Sequence, residues 1–376
     1  MMTQVFHTGK GRLSTPVGRW ASIGPYYAMF PIPFAFEMVE KHCPTGGAVL
    51  DPFAGRGSSI YAAVTTGRYG CGIEINEVGW LYGKAKLAMA SEEAVLRRNE
   101  EIGRQSCGIR ISEVNELPEF FHYCYTPKVL RYLLAARKWL RWKDDAADTT
   151  LMAIILIYLH GTKEKSLSNQ MRQGKAMAPD YSVKWWKERD LTPSDVEPVV
   201  FMRQRIRWRY AKGLPALHKG EIRFGDSLSE LDVIKRDVEA GMMPKFDFLF
   251  TSPPYYNVTS YHYDQWLRLW MLGHSPRPSK TGGDWQDGFW SQAEYRELLK
   301  RVFTKCAQVM TPDAVVLVRT DARPFTSNVT IETLCAAFPD KKLTTTPRPL
   351  TKGSQTALFG DKSQKPGEID LLLQPW

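Results

Sequence analysis

The chain has 376 residues, 43% of them hydrophobic, with 50 Lys and Arg against 40 Asp and Glu for a formal charge of +10. This excludes a disordered chain and gives core enough for two or three domains. No apolar run reaches the roughly 18 residues of a membrane span, and the six cysteines form no Cys-x-x-Cys pair, so neither a membrane protein nor a metal cluster is expected.

The first clear element is Ala48-Val49-Leu50-Asp51, a short apolar strand ending in an acid. Pro52-Phe53-Ala54-Gly55-Arg56-Gly57-Ser58 follows as a glycine turn, opening a predicted helix over Ser59–Thr66. Glycines at 55 and 57 let backbone approach a ligand closely, and the helix start offers free N–H groups. A second strand, Tyr69 to Ile75, carries Glu74 near its tip. An acid about 20 residues beyond a glycine turn is placed to hold a ribose diol. A nicotinamide dinucleotide site would use that acid too, but the three-glycine fingerprint is missing.

Next comes a basic stretch. Lys128 to Lys219 holds 19 Lys and Arg against nine Asp and Glu, so the whole excess charge lies there. Such asymmetry points to a polyanion. Arg203, Arg205, Arg207 and Arg209 recur at period two and would share one face of an extended segment, matching spaced phosphates. The loop Leu167–Lys175, with Arg172 and Lys175, is rich in side chains able to read base edges. Trp139 and Trp142 read as core, beside Leu133, Leu134 and Ala136.

Three further strands are predicted: Glu221–Phe224, Phe246–Phe250 and Ala314–Arg319, with Ile369–Leu373 near the carboxyl end. The strand at 246–250 runs into Thr251-Ser252-Pro253-Pro254-Tyr255. Two prolines stop a sheet and leave a rigid loop at a strand's carboxyl end. Ser252 supplies a hydroxyl, the carbonyls of Ser252 and Pro253 can accept, and Tyr255 supplies a flat face. That set suits an exocyclic amine on a planar base. Tyr256 is a second candidate face, and His262 a conceivable proton acceptor or a structural histidine. Pro276 to Gly288 reads as a mobile loop next to the site.

Together these motifs resemble the S-adenosylmethionine-dependent amino-methyltransferases of DNA, over residues 20–85 and 221–376. Asp51-Pro52-Phe53-Ala54-Gly55-Arg56-Gly57 is similar to the family's cofactor loop, and Ser252-Pro253-Pro254-Tyr255 to its catalytic tetrapeptide, in the form typical of cytosine N4 methylation. Glu74 matches the ribose-binding acid, Gly225-Asp226 the turn that contacts the adenine, and Met29 to Phe36 the first cofactor-contacting segment. The resemblance implies a Rossmann-like class I methyltransferase sheet, α/β, with helices on both faces. It implies S-adenosyl-L-methionine held by Phe30, Pro31, Asp51, Pro52, Phe53, Gly55, Gly57, Ser58, Glu74, Ile75, Asp226 and Ser227. Residues 1–85 and 221–376 are then the catalytic domain, and 86–220 a basic, mostly helical insertion and candidate target-recognition region.

The expected reaction is methyl transfer to cytosine N4 in double-stranded DNA after base flipping, with no metal and no membrane. The absence of a Pro-Cys dipeptide agrees with attack by an amine rather than through carbon 5. A cognate restriction endonuclease is a candidate partner. Adenine N6 methylation, RNA methylation and a non-catalytic nucleic-acid-binding protein stay open. The polar amino end lacks a signal-peptide core, so a cytoplasmic protein of bacterial or phage origin is expected.

Overall fold

Buried strands alternating with helices build the architecture. A computed structural model describes residues 13–25, 30–256, 261–278, 291–349 and 367–376. The strands are β1 (Ala48–Asp51), β2 (Tyr69–Glu74), β3 (Gly220–Phe224), β4 (Phe246–Thr251), β5 (Met310–Asp321), β6 (Lys341–Arg348) and β7 (Glu368–Pro375). They form one seven-stranded sheet in the order β3-β2-β1-β4-β5-β7-β6. The first five are parallel, and β7 runs antiparallel between β5 and β6. The expected Rossmann-like sheet with helices on both faces is present.

Strand alternation divides the sheet between two layers. Val49, Phe248 and Phe250 point into one apolar core, Leu50 and Leu249 into the other. The second layer is covered by α12 (Ser227–Glu239), α15 (Gln292–Val309) and α16 (Pro324–Ala337). The first is covered by α1 (Pro16–Ala21), α2 (Ile32–His42), α3 (Ser58–Thr65) and α4 (Glu77–Leu87), with α13 (Tyr261–Asp264) and α14 (Trp266–Met271) packed beyond them.

Between β2 and β3 the chain adds α5 (Glu92–Ser106), α6 (Ile111–Asn115), α7 (Glu119–Cys124), α8 (Pro127–Trp139), α9 (Ala146–Tyr158), α10 (Pro179–Lys187) and α11 (Pro198–Tyr210). This stretch is largely helical, and its buried residues join the same apolar core as α1–α4. Helix α9 is buried all along Leu151–Ile157 and lies against α4, α5 and α11. At 13 residues it is a core helix, and among the described residues no helix is long and apolar enough to cross a membrane.

Strand β6 escapes the sequence pattern. It is an edge strand reading Lys-Lys-Leu-Thr-Thr-Thr-Pro-Arg, exposed along most of its length. It is a strand because β7 offers a continuous row of partners from Lys341↔Pro375 to Arg348↔Glu368. Its own alternation carries no apolar face to read.

Strand order fixes where a ligand can sit. From β1 the connections run outward through β2 to β3, and the chain then returns to place β4 on the other side of β1. The carboxyl ends of β1 and β4 therefore flank the reversal point, where open α/β sheets bind their ligands.

Candidate active site

Asp51 ends β1 and is 1% exposed. Its carboxylate accepts from Thr251 Oγ1 at 2.6 Å, from the Phe53 N–H at 3.1 Å and from the Ser59 hydroxyl. Burial pushes its pKa up to about 6, against those three donors. The bond from Thr251 ties the last residue of β4, directly before the tetrapeptide, to the acid that begins the glycine turn. Neither Thr251 nor Ser59 stood out in the sequence, because their partner lies on a different strand or a turn away.

The turn is held in a cradle. Gly57 caps α3 in the left-handed region at φ 71°, and a Cβ there would lie 2.4 Å from Ile222 Cδ1 and 3.3 Å from Gly83 Cα. Only glycine fits both constraints. Gly57→Ala should cost about 2–4 kcal/mol from left-handed strain and overpacking, read as a lower urea midpoint at unchanged slope. A cost below about 1 kcal/mol would mean that the cradle gives way. Beneath the turn, the fully buried Lys86 donates to the Arg56 carbonyl at 2.6 Å, and burial drives its pKa well below the usual lysine value. Arg56 itself donates to the Gly24 carbonyl at 2.8 Å. Both side chains stiffen the turn, and neither carries a motif by which the sequence could reveal it.

Glu74 ends β2, 9% exposed, and accepts from the Asn76 N–H at 2.7 Å. Burial raises its pKa to about 7, opposed by the backbone N–H groups of Asn76, Gly55 and Ile75. Gly225 N–H donates to the Glu74 carbonyl at 3.1 Å, and Ser227 Oγ to the Pro52 carbonyl at 2.6 Å, bringing the β3 turn against the glycine turn. Asp226 is exposed, and its Oδ2 caps α12 at the N–H groups of Leu228 and Ser229, both at 3.0 Å.

Phe30, the first described residue of its segment, stacks on Phe250 at 4.4 Å, and Pro31 follows it as the cap of α2. One cavity is lined by Phe30, Asp51, Phe53, Gly55, Ser58 and Ser252. It joins the predicted cofactor turn to the predicted catalytic hydroxyl. Tyr255 Oη lies 3.4 Å from Ser252 Oγ and donates to Glu368 on β7 at 2.9 Å. Tyr256 turns away, with its ring 4.9 Å from Phe325 and 5.7 Å from Tyr295, so this core-facing ring is not the second platform that the sequence allowed. His262 is buried, its ring 5.8 Å from that of His274. Met29 and most of the expected loop from Pro276 to Gly288 lie outside the described residues.

No family model matches the chain, and no curated protein matches it. Among solved structures it is similar to the rRNA methyltransferase aviRa from Streptomyces viridochromogenes, at 12% identity over 98% of this chain and 93% of that one, with TM-score 0.35. TrmN from Thermus thermophilus follows at 10% identity, 96% of this chain and 52% of that one, TM-score 0.33. A putative SAM-dependent methyltransferase from Streptococcus mutans matches at 9% over 48% and 37%, TM-score 0.25. Superpositions this loose leave the chemistry to be argued from the chain's own residues.

The arginine row is where the structure corrects the sequence. Arg203 to Arg209 lie in helix α11, so side chains two apart point to different faces. Arg203 pairs with Glu100, Nη2 to Oε1 at 2.6 Å. Arg205 lies over the rings of Phe201 and Tyr158, 4.5 and 4.9 Å away. Arg209 is buried, donating to Ser22 Oγ at 2.8 Å and to the Arg19 carbonyl. Arg207 is exposed. A helix wins because the apolar residues Phe201, Met202, Ile206 and Tyr210 fall at helical spacing and fill the core.

Trp142 is buried against Trp80, as its core reading expects, and Trp139 is half-buried under the Lys138 ammonium. The loop with Arg172 and Lys175 packs on the segment after the tetrapeptide. Lys175 pairs with Asp264, and the buried Arg268 donates to the Gln173 carbonyl at 2.5 Å.

Proposed function

We propose that the chain is an S-adenosylmethionine-dependent DNA methyltransferase acting on the N4 amine of cytosine. One observation carries the reading: Ser252, of the Ser-Pro-Pro-Tyr loop, lines the same cavity as Asp51, Gly55 and Ser58 of the glycine turn. The donor set fits the cofactor. Glu74 offers a buried carboxylate to a ribose diol, the glycine cradle admits backbone-close contact, and the Phe30 ring supplies an apolar wall. When bound there, S-adenosylmethionine supplies an electrophilic sulfonium methyl.

The residues of the chain then position the acceptor. A base inside a duplex cannot reach a loop at the carboxyl end of a central strand, so it is flipped out, with Tyr255 offering a ring to stack on. The exocyclic amine is a poor nucleophile because its lone pair is delocalised into the base. Hydrogen bonds from that amine to the Ser252 hydroxyl and the Pro253 carbonyl draw the nitrogen toward tetrahedral geometry and free the lone pair for in-line attack. Catalysis is then positioning and local electrostatics. No strong base is required, since the proton leaves a nitrogen that has become cationic.

Residues 86–220 serve in this reading as the target-recognition region, with the exposed Arg172 and Arg207 as phosphate or base contacts. Arg172→Ala and Arg207→Ala should each reduce the salt dependence of DNA binding by about one unit of log–log slope. Arg209→Ala should instead lower the thermal midpoint, because that guanidinium is spent inside the core. Unchanged slopes for both exposed arginines would move the DNA surface elsewhere.

The reaction is tested by methyl incorporation from labelled S-adenosylmethionine into bacterial genomic DNA, followed by nucleoside mass spectrometry. N4-methylcytosine is the expected product. N6-methyladenine would overturn the choice of base, and incorporation into RNA alone would overturn the choice of polymer. Cofactor binding with transfer to neither polymer would favour a non-catalytic nucleic-acid-binding protein.

A further inference from the structure

Ser252 and Tyr255 have a neighbour to which no motif pointed. Glu368 opens β7, and its Oε1 lies 2.9 Å from Tyr255 Oη, which lies 3.4 Å from Ser252 Oγ. A carboxylate only accepts, so Tyr255 spends its single proton on Glu368. The phenolic oxygen then has only lone pairs for Ser252, and their contact is a hydrogen bond only if Ser252 donates. In that sense the Ser252 proton turns toward Tyr255 across a long 3.4 Å contact, which leaves the serine's lone pairs for the cavity it lines.

Glu368 is itself held. Arg319 on the paired strand β5 places Nε 3.6 Å from Glu368 Oε2 and 2.7 Å from Asp370 Oδ1. The Arg319 guanidinium lies 3.8 Å over the ring of Phe34, which meets Phe250 edge-on at 5.9 Å. A guanidinium anchored on Asp370 thus sits beside the Glu368 carboxylate from the sheet side, independently of the loop.

We infer that Glu368 is a positioning residue: through Tyr255 it sets Ser252 as a hydrogen-bond acceptor, and so selects substrates that present an N–H rather than a carbonyl. The inference rests on the amine-transfer reading and deepens it. An unheld serine could rotate its proton into the cavity and oppose an amine.

The test is a double-mutant cycle on the nucleic acid that the wild-type protein methylates. Glu368→Leu should lower kcat roughly tenfold, the worth of one ordered hydrogen bond, with KM for S-adenosylmethionine unchanged. Glu368→Gln keeps an acceptor oxygen and should recover most of that loss. In a Ser252→Ala background, Glu368→Leu should cost nothing further. An equal cost in both backgrounds, or a loss borne by KM, would overturn the proposal. A second readout needs no substrate. The ζ-carbon resonance of Tyr255 in ¹³C-tyrosine-labelled protein, assigned by its disappearance in Tyr255→Phe, should move in Glu368→Leu. No movement would overturn the proposal. Movement without methyl transfer by the wild-type protein would count against the amine-transfer reading and leave the Glu368–Tyr255–Ser252 relay supported.

Discussion

Ser252→Ala should lose about 100-fold in kcat while S-adenosylmethionine affinity stays within about twofold. The asymmetry follows from where the hydroxyl acts. Ser252 meets the cavity beside the glycine turn, but the Asp51 and Glu74 carboxylates that flank this turn accept from Thr251, Ser59 and the Asn76 N–H and not from Ser252. Removing the hydroxyl leaves the cradle intact and deprives only the amine of its acceptor. Single-turnover kinetics together with calorimetric titration of the cofactor separate the two effects. Turnover retained within a few-fold would show that the Pro253 carbonyl alone orients the amine, and the role given to Ser252 would be wrong.

Glu74→Ala should weaken S-adenosylmethionine binding by at least about 100-fold, because in the proposed reading two ribose hydroxyls lose a charged acceptor worth about 1.5–3 kcal/mol each. Affinity should also depend on pH. Burial raises the Glu74 pKa to about 7, so the free protein favours the neutral acid below that pH. Hydroxyl donors favour the carboxylate. Binding below about pH 7 must therefore expel a proton, and Kd should rise by up to about tenfold per pH unit there and level off above.

Stability should run the other way. A carboxyl whose folded pKa is raised binds its proton more tightly folded than unfolded. Its contribution is full below the ordinary value and is lost as pH rises through the folded one. For Glu74 that window runs from 4.5 to about 7, and for Asp51 from 3.8 to about 6. The thermal midpoint of the free protein should lose this contribution across pH 4 to 7. The stabilisation conferred by the product S-adenosylhomocysteine should grow over the same range. Scanning calorimetry at several pH values reads both trends. A pH-independent ligand shift would mean that Glu74 is ionised without ligand.

Local chemistry alone determined much of this molecule. Asp51, Gly55, Gly57 and Glu74 are legible because each demand is met within a few residues: an acid at a strand tip, a left-handed turn at a helix start, a second acid at the next strand's end. Ser252-Pro253-Pro254-Tyr255 is legible because two prolines can only stop the strand before them. The strands with buried faces could be found from period and apolarity. Strand β6 could not, since its order comes from β7 rather than from its own residues.

Tertiary structure decided the rest. Arginines spaced two apart share a face only in an extended segment, and that conformation lost to Phe201, Met202, Ile206 and Tyr210, whose burial requires helix α11. Period-two charge is a weak signal beside the apolar surface of a core-facing helix. Contacts such as Thr251 to Asp51, or Glu368 to Tyr255, join residues 200 and 113 positions apart. Nothing local records such a pair. It exists because strand order sets β1 beside β4 and β7 beside β5, and only the folded sheet brings those ends together.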